Sequence, residues 1–333
     1  MNAHVPASLT DGFGRRISYV RLSVTDRCDL RCTYCMSEHP TFLPRADLLS
    51  FEEMERLALF LVASGVERLR VTGGEPLVRK GIDDFLVRLG EQGRAAGLKE
   101  LTLTTNGTLL ERSVPALVAA GVRRINVSCD SLDPDAYRRI TRGGDLDKVL
   151  GGIAAAQAAG LRIKLNVVAL QRENRAEIPH LIAFAHGRGM DVSLIETMPL
   201  GEDIERETQF VSLADLMAEL RSFWTLTPGA ERTGGPARYY HVAETGGRLG
   251  LITPLSHNFC DTCNRVRVTC TGRLYMCLGQ DDHVDFRPAL RGGNDAALGD
   301  ILARALRHKP KAHDFAIGGE GHSPSRTMSL TGG

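Results

Sequence analysis

Three thiols fall within eight residues, Cys28-Asp-Leu-Arg-Cys32-Thr-Tyr34-Cys35. Gaps of three and then two let all three turn toward one point, and thiolates are soft ligands suited to zinc, copper(I) or iron–sulfur clusters. A structural zinc site asks for a fourth ligand nearby, usually from a second short-gap pair. The triplet stands alone in its part of the chain. Three thiolates around a 4Fe-4S cluster leave one iron open, and an open iron is a place for chemistry.

A second group, Cys260-Asp-Thr-Cys263 with Cys277 beyond it, reads less sharply. Zinc ribbons and redox motifs also use such pairs, and His257 or Cys270 is available as a fourth zinc ligand. Directly after the pair comes Asn264-Arg265-Val266-Arg267, which puts two arginines on alternate positions. Arginines beside a metal site recruit anions, so a second open-iron cluster facing an anionic substrate accounts for both features. Cys129 and Cys270 are read as small core residues.

These groups need elements to hold them. Ile17 to Val24 alternates like a strand and runs into the first thiol loop. Further strands are expected at 68–72, 101–105, 124–129, 162–169 and 192–197, each preceded by a helical stretch. One such helix starts at the capping box Ser50-Phe-Glu-Glu53. Six strands alternating with helices signal parallel βα units. Strand parity adds more. Leu69 and Val71 oppose Arg68, Arg70 and Thr72; Leu103 opposes Thr102 and Thr104; Ile125 and Val127 oppose Asn126 and Ser128; Leu165 opposes Lys164 and Asn166. A full barrel fills its lumen with branched apolar side chains. A polar, partly cationic inner phase predicts instead an incomplete barrel, open inside and holding a charged ligand.

The chain has 333 residues, 43% hydrophobic and 24% charged, with formal net charge +1, so nothing global favours nucleic acid or a membrane. No secretory signal or membrane-length apolar run is found, and cysteine usage argues for a reducing cytoplasm rather than disulfides. Four parts are expected: a flexible 1–14, a barrel over 15–228, a C-terminal domain over 229–317 with the second thiol group, and a flexible glycine-rich tail over 318–333.

Taken together, the Cys28–Cys35 spacing with its aromatic before the last cysteine resembles the signature of the radical S-adenosylmethionine (SAM) enzymes. Arg21 through Met36, Thr72-Gly-Gly-Glu-Pro76, Cys260-x-x-Cys263-Asn-Arg265-x-Arg267 and the terminal Gly332-Gly333 are similar to the GTP 3′,8-cyclase family of molybdenum cofactor biosynthesis. The resemblance runs from about Phe13 to the end. It implies an α/β fold, an incomplete (β/α)6 TIM-type barrel whose open side is closed by a C-terminal α+β domain.

The resemblance also implies roles. Cys28, Cys32 and Cys35 would hold a SAM-binding 4Fe-4S cluster, and Cys260, Cys263 and Cys277 an auxiliary one. Gly74, Tyr34, Ser128 and Met198 match SAM-contacting positions. Arg21, Arg70, Thr104, Lys164, Arg265 and Arg267 match GTP-contacting positions. Gly332 and Gly333, with Arg326 fixing their path or reaching the ligand, are assigned to catalysis. Asp26, Arg27 and Asn106 are read as loop-shaping, and Arg68 as a lesser candidate. Implied partners are GTP, a one-electron donor protein and a downstream cyclic pyranopterin monophosphate synthase, with a second copy of the chain also a candidate. The alternatives are a radical SAM peptide-modifying enzyme and a non-catalytic zinc module.

Overall fold

The computed structural model describes residues 9–200, 208–231, 234–315, 324 and 326–332. Six parallel strands form its centre: β1 (Tyr19–Ser23), β2 (Arg68–Thr72), β3 (Glu100–Thr105), β4 (Arg124–Ser128), β5 (Arg162–Val168) and β6 (Asp191–Ile195), each hydrogen-bonded to the next. The expected strand positions hold within a residue or two at each end. Leu69, Val71, Leu103, Ile125, Val127, Leu165 and Val167 are at most 1% exposed, beneath a layer of helices. The helix Phe51–Ala63 begins at the expected box: Glu53 N donates to Ser50 Oγ at 3.1 Å, and Ser50 N to Glu53 Oε2 at 2.7 Å. Such a cap contributes about 1 kcal/mol.

The later strands are β7 (Leu226–Pro228), β8 (Arg238–Val242), β9 (Arg248–Ile252), β10 (Arg265–Val268), β11 (Arg273–Tyr275) and β12 (His283–Asp285). They extend the six-stranded sheet at both edges, in the order β12-β11-β10-β1-β2-β3-β4-β5-β6-β9-β8-β7. β10 runs parallel beside β1 and β9 parallel beside β6. The sheet is therefore an unclosed barrel whose two edges come from the C-terminal part. β7, expected on the barrel side of the boundary, pairs antiparallel with β8 on the other side, so the sheet continues across residue 228.

Of the two segments expected to be flexible, residues 1–8, 318–323, 325 and 333 lie outside the described residues, and the remainder carries contacts. Residues 9–14 are fixed: Leu9 and Asp11 are buried, and Asp11 accepts from Phe13 N and Arg15 N while pairing with the Arg15 guanidinium at 2.6 Å. Of the tail, Met328–Thr331 forms a short helix, with Arg326 and Thr331 buried. Buried polar side chains with hydrogen-bond partners, Asp11 in the first segment and Arg326 in the second, hold both. No helix among the described residues is long and apolar enough to cross a membrane.

Candidate functional site

β1 delivers the chain into the first thiol loop, and the turn after β2 pins that loop. Gly74 N donates to the Thr25 carbonyl at 2.7 Å and Glu75 N to the Arg27 carbonyl at 2.8 Å. A Cβ at Gly74 would overlap the Arg27 carbonyl, so this approach needs glycine. Glu75, fully buried, accepts from Leu77 N, Thr105 Oγ1 and Asn106 N; burial pushes its carboxyl up to about 7. Asn106 donates to Asp29 at 2.8 Å and lies 3.8 Å from Cys28 Sγ. Asp26 accepts from Leu43 N at 2.6 Å, and Arg27 covers the Phe42 ring. Three motif residues thus shape the loop that carries the thiols.

One cavity inside the barrel is lined by Cys28, Cys32 and Cys35 on one wall and by Cys260, Cys263 and Cys277 on another. Between them lie the polar strand phases: Arg21, Arg70, Thr72, Thr104, Asn126, Ser128, Lys164 and Asn166. Sheet register aligns the cations. Arg267, Arg21 and Arg70 stand opposite one another on β10, β1 and β2, with Arg265 two residues from Arg267 on the same strand phase. Arg70 Nη1 donates to Thr104 Oγ1 at 3.3 Å, and Lys164 Nζ to Tyr239 OH at 3.2 Å. Arg21 and Arg70 each keep a buried Nε with no hydrogen-bond partner.

The electrostatics record this crowding. Burial, and then the neighbouring Arg70 and Arg265 against an opposing contribution from Tyr19, brings Arg21 down to about 10. Burial, Arg21, Arg265 and Arg326 hold Arg267 well below the usual range. Burial, Arg70 and Arg124 bring Lys164 down to about 7.

Burial raises Cys260 and Cys277 as it does Cys28 and Cys32, and Cys263 alone among these five falls. Burial first, and then Glu75 and Asp29, pushes Cys28 up to about 12; burial, Cys35 and Asp130 hold Cys32 well above the ordinary thiol value. At Cys263, burial is outweighed by Arg265 and Lys309, so its thiol falls below the ordinary value. Buried thiols become ligands when a cation supplies the missing charge. Among the described residues no three His, Cys, Asp or Glu side chains converge on a single-ion site. A cubane cluster asks for something else, one thiolate on each of three separate irons. Cys270, offered as a fourth zinc ligand, is 0% exposed in the apolar core, and His257 lies outside the cavity lining.

Comparison with known proteins bears on this geometry. Residues 22–185 match the family model described as Radical SAM superfamily, and residues 190–315 that of Molybdenum Cofactor Synthesis C. A GTP 3′,8-cyclase of Caulobacter vibrioides is 60% identical over 328 residues, covering 98% of this chain and 94% of the relative. A GTP 3′,8-cyclase of Rhizobium meliloti is 57% identical over 331 residues, covering 98% and 95%. This chain belongs to the GTP 3′,8-cyclase family. Among solved structures, Streptococcus suis SuiB superposes with a TM-score of 0.63 at 15% identity, over 89% of this chain and 67% of that one. Native anSMEcpe with bound AdoMet gives 0.62 at 16%, over 89% and 82%. At such identities these two speak for the fold alone. The near full-length cyclase relatives leave the peptide-modifying and zinc-module alternatives without support.

Within this GTP 3′,8-cyclase fold, the expected Tyr34, Gly74, Ser128 and Met198 all line the cavity, as do Arg21, Arg70, Thr104, Lys164, Arg265 and Arg267. Arg68 does not. It pairs with Glu100 at 3.5 Å beside a separate cleft at the N-terminal ends of the strands. Gly332 sits at the cavity's edge, its carbonyl accepting from Arg267 Nη1, and a Cβ there would overlap the Thr72 methyl. Gly333 lies outside the described residues. Arg326 pairs with Asp281, donates to the carbonyls of Cys277 at 3.2 Å and Leu278 at 2.5 Å, and covers the Tyr275 ring. It braces the Cys277 loop.

Several residues lining the cavity or bonded to its lining escaped the sequence reading. The Tyr34 hydroxyl donates to Asp130 at 2.7 Å, and Asp130 also accepts from Val168 N. Tyr19 lines the cavity with its hydroxyl unpaired, Phe259 lies under Arg265, and Tyr239 holds Lys164. Tyr19 shares the phase of Arg21 along β1 and was open to the same parity argument; the others come from loops and β8, where no periodicity marks them.

Proposed function

We propose that this chain cyclises GTP to (8S)-3′,8-cyclo-7,8-dihydroguanosine 5′-triphosphate, the first step of molybdenum cofactor biosynthesis, in the cavity between its two thiol sets. The observation that carries the reading is the in-register row Arg267, Arg21 and Arg70 between the two thiol walls, with Lys164 and Arg265 beside it. Like charges directly opposite on a sheet destabilise it. Five cations lining one cavity call for a ligand of comparable negative charge, and a triphosphate with its many acceptor oxygens is one. Guanidinium forks bind phosphate oxygens in bidentate fashion, and the unpaired Arg21 and Arg70 Nε atoms supply donors for it.

The donor chemistry fits two 4Fe-4S clusters, one on Cys28, Cys32 and Cys35, the other on Cys260, Cys263 and Cys277. A cluster at the first set, with SAM bound, would supply the one-electron chemistry that frees a 5′-deoxyadenosyl radical to take the ribose 3′ hydrogen; after the 3′ carbon bonds to guanine C8, one further electron from the donor protein and a proton would complete the dihydro product. The protein's part is position. The Gly73-Gly74 turn offers backbone carbonyls to the SAM amino group, and Ser128 and Met198 flank it. Asp130 anchors the Tyr34 ring, so the loop between Cys32 and Cys35 keeps one orientation. Arg21, Arg70, Lys164, Arg265 and Arg267 hold the phosphates, and Thr104 fixes the Arg70 fork. Holding two reactants in one geometry is the largest contribution a scaffold makes to such a step. Arg326 positions the Cys277 loop, and Gly332 stands beside Arg267 where a Cβ would overlap the Thr72 methyl.

The reading places the protein in the cytoplasm, with a one-electron donor protein upstream, a cyclic pyranopterin monophosphate synthase taking the product, and a homodimer as the assembly to test. Anaerobic incubation with SAM, reductant and each nucleoside triphosphate tests the function. 5′-Deoxyadenosine with a cyclised nucleotide is expected from GTP; the same yield from all four would overturn it.

A further inference from the structure

After the helix Ala296–Arg307 the chain turns back beneath the second thiol set. Lys309, 2% exposed, donates from Nζ to Cys263 Sγ at 3.6 Å, to the Arg265 carbonyl at 3.0 Å and to the Met276 carbonyl at 2.5 Å. An ammonium has three protons, and these three acceptors use them all. None of the three is a carboxylate, and burying an unpaired cation is costly. The one partner able to carry negative charge is the Cys263 sulfur.

The segment around Lys309 is fastened independently. Arg15 donates to the carbonyls of Cys260 and Lys311, each at 2.7 Å, and of Pro310 at 2.6 Å, while its own charge is met by Asp11 at 2.6 Å. Arg15 thus ties Lys309's neighbours to the Cys260 turn and brings a neutral ion pair. Lys309 brings a net positive charge and spans the site, touching Cys263 on one side and the residue before Cys277 on the other.

At the Cys28 sulfur the described residues supply no ammonium. The described partners of the Cys28 sulfur are Leu30 N, Asp29 and Asn106, and Arg31 reaches the Cys28 carbonyl rather than the sulfur. The Cys263 sulfur thus has a buried ammonium beside it, whereas the Cys28 sulfur has the Asp29 carboxylate.

We propose that Lys309 is a positioning residue of the auxiliary site, a built-in counter-charge that raises the reduction potential of the cluster held by Cys260, Cys263 and Cys277 and sets it apart from the first. The proposal rests on the two-cluster reading above. Reduction adds one negative charge to the cluster, and a buried cation beside a ligand sulfur favours the reduced form.

The test uses the full chain with Cys28, Cys32 and Cys35 all changed to Ala, reconstituted anaerobically, so that only the auxiliary site can load. Iron and sulfide are counted on every sample, and the potential is followed by electron paramagnetic resonance. Lys309→Met should lower the reduced-to-oxidised ratio at a fixed potential about tenfold, a shift of about 59 mV for one electron. Lys309→Arg should stay close to the parent. Loss of iron from Lys309→Met with retention in Lys309→Arg also supports a required counter-charge. An unchanged potential in Lys309→Met, an equal shift in Lys309→Arg, or loss of iron from both would overturn the proposal. Absence of iron from the parent sample would instead remove the two-cluster reading itself.

Discussion

Arg21 and Arg267 stand opposite each other in register on the adjacent parallel strands β1 and β10. Each is flanked by apolar residues, and neither has a carboxylate among its described hydrogen-bond partners. Without ligand, this arrangement is a liability that the rest of the fold must offset. Arg21→Gln should therefore stabilise the ligand-free protein by about 0.2–1 kcal/mol. The same change should weaken GTP binding by about 1.5–3 kcal/mol, the loss of one charge-assisted contact. Thermal unfolding beside equilibrium binding reads both signs. A variant that loses stability and keeps its GTP affinity would make Arg21 a structural residue.

Lys164 gives the pH dependence. Arg70, Arg124 and Arg21 face it as cations, and Asp191 and Tyr239 oppose or hold it. Its folded value of about 7 lies below that of a free lysine, near 10.5. Between these values the folded chain binds fewer protons than the unfolded one, so ligand-free stability should rise with pH from about 7 upward. Below about 7 the cost of the buried ammonium is fully present. GTP restores the proton, so binding should take up a proton and weaken as pH climbs from 7 to 9. Calorimetry in buffers of different ionisation enthalpy measures the uptake, and Lys164→Met should abolish it.

Much of this site was legible in the chain. The thiol spacings, the Gly-Gly-Glu-Pro turn and the alternation of β2 to β5 each follow from local rules, and local rules are what a sequence displays. Arg70 and Lys164 stood out because each interrupts an apolar strand. The pairing of β10 with β1 did not, since it joins segments some 240 residues apart through backbone groups that every residue possesses. Lys309 and Asp130 were missed for a related reason. Each is an isolated residue in a loop, and its meaning comes only from what the fold places against it.

The tail prediction rests on Gly332. Its φ of 78° and the overlap of a Cβ with the Thr72 methyl make Gly332→Ala strained on two counts. Deleting Gly332 and Gly333 should leave GTP binding and SAM cleavage largely intact while stopping formation of the cyclised nucleotide. Product analysis beside 5′-deoxyadenosine on the same samples checks this, and normal product from the truncated chain would remove the tail from the mechanism.

Cluster content is a matter of counting. Cys28→Ala and Cys277→Ala should each lose about half the iron and sulfide, since each takes one thiolate from a three-thiolate set. Cys129→Ala should keep the full complement, because Cys129 is buried in the apolar core. If iron follows Cys28 alone, the auxiliary site is wrong.

The most direct test of the account is the fate of one hydrogen. GTP carrying deuterium at the ribose 3′ carbon is incubated anaerobically with the reconstituted protein, SAM and reductant, and the 5′-deoxyadenosine is weighed by mass spectrometry. The account predicts one deuterium in the 5′-deoxyadenosine, matched by formation of the 3′,8-cyclised nucleotide. Unlabelled 5′-deoxyadenosine formed alongside that product would contradict it.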